Sequence, residues 1–302
     1  MASLTAGSAA RSLGHHWKSF SLLFYRAVRD LKPVWMLEDM RTMEAFYPED
    51  DSSQRTYSPS EALLYAIVHD HQAYAQFLLS RFPGEALAEP GERFSCCPAS
   101  SSVPHQAMAV RYDRRYILQL ILQESRGAAR AARAPGCFHE GRSPLHLACE
   151  LLRPEAAVLL LGAGASPLSP DRYGLTPLDV LLDKLGNSTG AVDGEGRRCL
   201  DNLLMFMPKV HFKMRGALDR DPESWTEVLG DDTYRYLAGR SPASLLLIAM
   251  QTVMKQLSPE TFSDSLHELP IPSSLKPRGL PVGPRVSDPG SEAPGLPMDP
   301  RV

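Results

Sequence analysis

The sequence predicts an all-α solenoid built from stacked pairs of short helices, and a repeated opening phrase is the main reason. Residues 143–148 read S-P-L-H-L-A, and thirty-three residues later residues 176–178 read T-P-L. In each copy a hydroxyl side chain precedes a proline. The hydroxyl caps free backbone N–H groups, and proline at the first helical position loses no hydrogen bond because it has no N–H. A period of thirty-three residues therefore predicts one helix pair per repeat.

The phrase and its period resemble the ankyrin repeat, whose signature is T-P-L-H-x-A. The residues that carry this structural motif are Ser143, Pro144, Leu145, His146, Ala148, Thr176, Pro177 and Leu178. Each leucine is expected to enter the core, and His146 is expected to bridge the backbones of neighbouring repeats. His71 falls at the corresponding position of an earlier repeat, so we expect the same structural role for it.

The second helix of each repeat is marked by an apolar triplet that begins eleven residues after a buried alanine. Residues 159–161 follow Ala148 at this distance. The same offset recurs upstream, from Ala66 to residues 77–79 and from Ala109 to residues 120–122. The sequence thus predicts three complete repeats. A fourth starts at Thr176 and is expected to be interrupted by a glycine-rich insertion at residues 186–198, with its second helix at residues 199–207.

The predicted organisation divides the chain into six segments. They are a disordered N-terminus (1–16), a helical cap broken at Pro33 (17–56), ankyrin repeats (57–215), a connecting segment (216–240), a small helical module (241–280) and a disordered proline-rich tail (281–302). Trp225, Tyr234 and Tyr236 are expected to pack the module onto the last repeat. Surplus length at residues 83–103 and 125–140 predicts long loops. These loops are either partner-binding sites or tolerated insertions.

The module begins with Ser241 and Pro242, which predict the start of a helix that runs to about Leu257. Its apolar residues cover most of the helix surface, and such a helix must be buried from two sides. A second short helix is expected from Ser258, and it should end before Pro270 because proline cannot continue a helix.

Two parts of the module resemble the halves of a suppressor-of-cytokine-signalling (SOCS) box. Ser244, Leu245, Ala249 and Val253 resemble its elongin-binding box, although the family usually has cysteine where Ala249 stands. Leu269, Pro270, Ile271 and Pro272 resemble a cullin box of the type that selects cullin five. The order and separation of the two boxes also match, so the fold class that we predict is an ankyrin-repeat solenoid followed by a SOCS-box-like module.

Residues 20–280 are also similar as a whole to the ankyrin repeat domain-containing protein nine family. The segments that carry this similarity are residues 24–31, 34–35, 37–40, 57–66, 68–75 and 269–272. The resemblance implies a substrate receptor of a cullin-RING ubiquitin ligase, with elongin B, elongin C, cullin five and its RING partner. It implies IMP dehydrogenase as the client. The alternative is a non-catalytic ankyrin scaffold without a ligase link, in which the last helices only cap the stack.

Composition and motifs argue against several other classes of function. A net charge of −3 offers no basic field for nucleic acid, and the apolar run at residues 245–250 is too short to span a membrane. No secretory signal is recognisable, and five scattered cysteines fit reduced thiols in the cytosol. Phosphate-binding loops and nucleophile elbows are not found, so we expect neither enzyme activity nor a cofactor. Cys96 and Cys97, with nearby His105, Cys137 and His139, lack the usual zinc-ligand spacing.

Overall fold

A computed structural model describes residues 23–42, 57–90, 104–128, 141–187, 194–272 and 276. Within these residues all regular structure is helical, which confirms the all-α prediction. The helices of the first half are α1 (23–29), α2 (Val34–Thr42), α3 (Pro59–His69), α4 (Gln72–Arg81), α5 (Pro83–Ala86), α6 (Pro104–Arg111) and α7 (Arg115–Ala128). Those of the second half are α8 (Pro144–Glu150), α9 (Pro154–Gly162), α10 (Pro177–Gly186), α11 (Gly194–Met205), α12 (Arg215–Arg220), α13 (Pro222–Leu229), α14 (Asp231–Leu237), α15 (Leu245–Gln256) and α16 (Phe262–Glu268).

The helices from α3 to α11 stack as an ankyrin solenoid of two layers. The first helices of the pairs, α3, α6, α8 and α10, contact one another in sequence, and so do the second helices α4, α7, α9 and α11. Ala66, Ala109 and Ala148 are buried at equivalent points, where a small side chain lets the two helices of a pair approach closely. Leu145 and Leu178 are buried as the opening phrase requires. None of the described helices is long and apolar enough to cross a membrane.

The N-terminal helix pair α1–α2 is built with the same turn as the repeats. Leu31, Asp70, Asp113 and Leu152 each lie between the first and second helix of a pair and have φ values of 51°, 57°, 55° and 52°. A positive φ is costly for a residue with a side chain, so this shared conformation is specified by the repeat architecture. The pair therefore continues the stack at its N-terminal end, where the sequence predicts a helical cap; the shared turn conformation is what the sequence pattern did not indicate.

The opening phrases at Ser143 and Thr176 start their helices as predicted, and Ser58 starts α3 in the same way. Ser58, Ser143 and Thr176 each accept a hydrogen bond from the backbone N–H three residues on, and that third residue reaches back to the cap. These reciprocal capping boxes satisfy donors that would otherwise be unpaired at the helix ends. The phrase is therefore a helix-starting device as well as a repeat marker.

The predicted insertion at residues 186–198 is too long, because α10 extends to Gly186 and α11 already begins at Gly194. The glycines at 194 and 196 do not prevent a helix, since a helical glycine costs only about 1 kcal/mol. Burial of Cys199 and Leu200 against the stack opposes this cost. Arg198 also forms an ion pair with the buried Glu155 of α9 at 3.5 Å.

The connecting segment folds as the three short helices α12, α13 and α14. Trp225 of α13 is buried against Gly186, with its Cη2 atom 2.9 Å from the position that a Cβ would take there. This contact fixes the segment to the last repeat. The predicted loops also contain helix: α5 begins at Pro83, and α7 continues to Ala128.

The prediction that the module helix begins at Ser241 and Pro242 is wrong. The N–H groups of Arg240 and Ser241 both donate to the carbonyl of Arg235, at 2.7 and 3.2 Å, which holds Ser241 against the end of α14. Helix α15 begins at Leu245 instead, and Ser244 is its cap, accepting from the N–H of Leu247 at 3.2 Å. The module helix is therefore one turn shorter than its sequence suggests.

Candidate partner-binding site on helix α15

One face of α15 is docked on the second helix of the last repeat, α11. Met250 and Met254 are buried, and Leu247 is partly buried against the same core. The side-chain amide of Gln251 donates to the carbonyls of Leu204 and Met207, at 2.9 and 3.1 Å. The carbonyl of Leu204 also accepts from the N–H of Met207 at 3.2 Å, so the amide adds two hydrogen bonds at the end of α11 and fixes the position of α15.

The opposite face of α15 is apolar and free in the part of the chain that the structure describes. Leu245 is 86% exposed, and Leu246 and Ile248 are 54% and 46% exposed. Ala249 is exposed beside them. We call these four residues the free face of α15. Contiguous exposed apolar side chains of this kind usually mark a surface that binds another molecule.

The structure separates the four residues predicted to bind elongin. Ser244 is the exposed cap, Leu245 and Ala249 lie on the free face, and Val253 is partly buried against the core. Each step of four residues advances about 40° around the helix, so Val253 is turned by about 80° from Leu245. It lies beside the buried Met254 towards the end of α15, where it packs against the core. The four-residue pattern did not single out Leu246 and Ile248, which widen the free face.

The segment that resembles a cullin box follows α16 directly. Helix α16 is anchored by the buried side chains of Phe262 and Leu266. In the segment itself, Leu269 and Ile271 are partly buried against the core, whereas Pro270 and Pro272 are exposed. The N–H of Ile271 donates to the carbonyl of Leu269 at 2.8 Å, which tightens the chain after the helix. The two prolines therefore project from a fixed support.

The ankyrin histidines are structural, as predicted. Nε2–H of His71 donates to the carbonyl of Lys32 at 2.9 Å, and Nε2–H of His146 donates to that of Leu175 at 3.1 Å. Each bond joins one helix pair to its neighbour. His105 is buried with Nε2 3.1 Å from the carbonyl of Ser60, and burial lowers its pKa to about 4. His105 is therefore neutral at pH 7, and all three rings are buried in the core.

The cysteines in the described residues have none of the features of reactive thiols. Cys149 and Cys199 are free and buried, and burial raises the pKa of Cys149 well above its ordinary value and that of Cys199 to about 12. A protonated thiol is a poor nucleophile and a poor metal ligand. The described residues contain no group of three metal-ligating side chains; Cys96, Cys97, Cys137 and His139 lie outside them.

Several predicted features fall on residues that the structure does not describe. They are the N-terminal segment 1–16, most of the two long loops, at 91–103 and 129–140, and the tail 281–302. Both interpretations of these loops, as partner-binding sites and as tolerated insertions, therefore stay predictions.

Comparison with known proteins shows the family to which the chain belongs. Residues 140–172, which begin just before the best opening phrase, match the ankyrin repeat family. Over 306 aligned residues the chain is 42% identical to the mouse (Mus musculus) ankyrin repeat domain-containing protein 9, covering 91% of this chain and 93% of the mouse protein. The chain belongs to the ankyrin repeat domain-containing protein 9 family. The similarity extends well beyond the repeats, and the family resemblance drawn from the sequence is confirmed.

A second relative matches only locally. Human (Homo sapiens) neurogenic locus notch homolog protein 4 is 60% identical over 38 residues, which are 13% of this chain and 2% of that protein. The match thus concerns one short segment. Together the family and the solenoid make this chain an ankyrin-repeat protein, a class that works by binding other proteins.

Proposed function

We propose that this chain is the substrate-receptor subunit of a cullin-RING ubiquitin ligase. In this proposal α15 binds elongin C with elongin B, and residues 269–272 select cullin five with its RING partner. The ankyrin stack holds a client for ubiquitination and proteasomal degradation. The observation that carries the proposal is the free face of α15, where Leu245 is 86% exposed on a helix whose other side is already docked.

A helix with one docked face and one free apolar face suits binding in a groove. Such helices bind through anchors spaced three and four residues apart, and Leu245, Ile248 and Ala249 have this spacing. Burying a leucine contributes about 1.5–3 kcal/mol. Ala249 offers less contact than the cysteine usual in elongin-binding helices, so Leu245 carries a larger share of the binding energy.

The cullin-selecting role rests on the two exposed prolines. Pro270 and Pro272 project beside the supporting residues Leu269 and Ile271, so a partner can contact the rings without unfolding the module. The client is IMP dehydrogenase by family resemblance, and it binds the ankyrin surface. The buried free thiols of Cys149 and Cys199 suit the reducing cytosol, where we place the complex.

The elongin interaction is tested by co-expressing the full chain with elongins B and C and purifying the complex. Leu245→Asp puts a charge on the free face and should abolish elongin binding, whereas the fold should survive because Leu245 is exposed. The matched control is Leu168→Asp, which changes a leucine that is 44% exposed in the loop after α9. Elongin binding retained by a folded Leu245→Asp chain would show that the free face of α15 is not the elongin site. Failure of the wild-type chain to bind elongins would leave the scaffold without a ligase link.

The client is tested separately with purified IMP dehydrogenase. Wild type and Leu245→Asp should capture it equally, since the substitution lies outside the ankyrin surface. Only the wild-type chain should support ubiquitination of this client when elongins, cullin five, the RING partner and the ubiquitin-charging enzymes are added. Failure of both chains to capture IMP dehydrogenase would reject this client while leaving the elongin result intact.

A further inference from the structure

The N-terminal end of the ankyrin stack exposes two large apolar side chains. Trp35 of α2 is 69% exposed, and Leu23 of α1 is 49% exposed. The terminal repeat of a solenoid normally has a polar outer face, which keeps the protein soluble, so this exposure is unusual. We call the surface formed by Leu23 and Trp35 the open end of the stack. Both residues belong to the first helix pair, so the open end is separate from the free face of α15.

The repeat positions show which way Trp35 faces. It lies four residues after the left-handed turn of its pair, as Tyr74, Ile117 and Ala156 do in the next three pairs. These three side chains are buried, and the hydroxyl of Tyr74 donates to Glu38 in the preceding pair at 2.8 Å. This position therefore faces the preceding pair. For Trp35 the described part of the chain contains no preceding pair.

Leu23 is in the same situation on the first helix. It lies four residues before Ala27, the buried alanine of its pair, and Ala62 and His105 lie at the same distance before the alanines of the next two pairs. Both of those side chains are buried, and Nε2 of His105 lies 3.1 Å from the carbonyl of Ser60 in the preceding pair. The open end therefore has the geometry of a contact surface for a further element.

We propose that residues 13–20 of the same chain cover the open end of the stack. Residues 1–22 lie outside the described residues, and they join the structure at Leu23, which is itself part of the open end. An eight-residue helix is about 12 Å long, close to the roughly 10 Å of α1. Residues 13–20 can therefore lie along the first pair, with residues 21–22 as the connection. This inference needs neither elongin nor α15, so it does not depend on the ligase proposal.

The sequence of this segment fits the surface. Leu13, Trp17 and Phe20 are spaced by four and three residues, which places them on one face of a helix. That face packs on the open end and removes its apolar side chains from water. Residues 1–22 contain the basic residues Arg11 and Lys18 and no carboxylate, whereas Asp39 is exposed one turn after Trp35 on α2. This carboxylate attracts a basic segment and would repel an anionic membrane.

The test uses the full chain labelled with 5-fluorotryptophan. The three tryptophans, at positions 17, 35 and 225, give separate fluorine signals, which are assigned by replacing each tryptophan with phenylalanine in turn. The difference in chemical shift between H2O and D2O reports how far an indole is exposed to solvent. The signal of Trp35 should show a much smaller difference than free 5-fluorotryptophan. A difference as large as that of the free amino acid would overturn the proposal.

Variants of the segment show what covers Trp35. Leu13→Asp combined with Phe20→Asp should raise the difference at Trp35 to the free value, whereas the control Thr5→Asp should leave it small. The buried Trp225 is the internal reference, and its signal should stay the same in both variants. A Trp35 that stays protected in the double variant is covered by another part of the chain. Protection that grows with protein concentration, together with a doubled mass in ultracentrifugation, means that a second copy covers it. Either result would overturn the proposal.

Discussion

The aromatic ring of Phe262 lies directly against the α-carbon of Gly162, so that a Cβ on this glycine would overlap the ring. Gly162 is the last residue of α9, and Phe262 is the first residue of α16. Gly164, two residues later, has a φ of 96° and provides the left-handed turn after the helix. The two neighbouring glycines therefore have different roles. Gly164 allows the turn after α9, and Gly162 leaves space for the ring of Phe262, so that α16 can pack against α9.

Gly162→Ala should displace Phe262 and lower the free energy of unfolding by about 1–3 kcal/mol, the usual cost of overpacking a core. The control is Gly216→Ala in α12, where a Cβ would meet nothing within 4 Å. That substitution should be neutral or stabilise by up to about 1 kcal/mol, because alanine is the better helix former. Urea denaturation of both variants measures whether the free energy of unfolding falls in Gly162→Ala and stays equal or rises in Gly216→Ala. Adding Phe262→Leu to Gly162→Ala should restore part of the lost stability, because the smaller side chain makes room for the new methyl group. Equal stability of Gly162→Ala and Gly216→Ala would contradict the packing of Phe262 against Gly162.

The sequence was sufficient to predict the stack because its information is local. A hydroxyl cap, a proline and a leucine lie within three residues of each other, and Ser143 and Thr176 start helices where the pattern placed them. The alanine-to-triplet offset is also local, since both belong to one helix pair. For the same reason the roles of His71 and His146 could be predicted.

The sequence could not predict how the module docks, because those contacts join distant residues. The pairing of Gly162 with Phe262 spans a hundred positions, and Gln251 caps carbonyls of a helix more than forty residues away. The predicted start of α15 was too early for a local reason: Ser241 donates to the carbonyl of Arg235 in the turn that ends α14, where Gly239 has a φ of 70°. Hydrophobic pattern alone likewise left open which side of α15 would be covered.

Leu31 offers a direct test of backbone strain in the first helix pair. It has a φ of 51° and an exposed side chain. A left-handed conformation costs an ordinary residue about 1–2 kcal/mol, and asparagine tolerates it better. Leu31→Asn should therefore raise the free energy of unfolding by about 0.5–1 kcal/mol. Leu151→Asn is the control, because Leu151 is also partly exposed near such a turn but has a φ of −90°. Equal changes in the free energy of unfolding for Leu31→Asn and Leu151→Asn would show that the backbone of Leu31 is not strained.

Acid should weaken the stack through His105. Its pKa is lowered from 6.5 to about 4 by burial, so the unfolded chain takes up a proton that the folded chain refuses. The contribution of neutral His105 is complete above about pH 6.5 and is lost as pH falls towards about 4; in total it amounts to roughly 3 kcal/mol. The lowered pKa of His146 acts in the same direction.

His105→Asn removes this titration. Urea unfolding at pH 7.5 and pH 5 should show a smaller loss of stability in the variant than in wild type, even if the variant is less stable at both values. The remaining acid sensitivity should come from His69 and His146, whose pKa values burial also lowers, and from the carboxylates. If wild type and variant lose the same free energy of unfolding between pH 7.5 and pH 5, His105 is protonated in the fold as readily as in the unfolded chain.

The last prediction separates the two halves of the module. Pro270→Ala combined with Pro272→Ala changes only exposed rings, and it keeps the packed side chains of Leu269 and Ile271. The double variant should co-purify with elongins B and C as wild type does, because α15 is untouched, but should retain about tenfold less cullin five. Pro242→Ala, an exposed proline before α15, is the control and should retain both partners. Full cullin recruitment by the double variant would show that Pro270 and Pro272 do not steer the choice of cullin, and it would leave the separate test of elongin binding with Leu245→Asp unaffected.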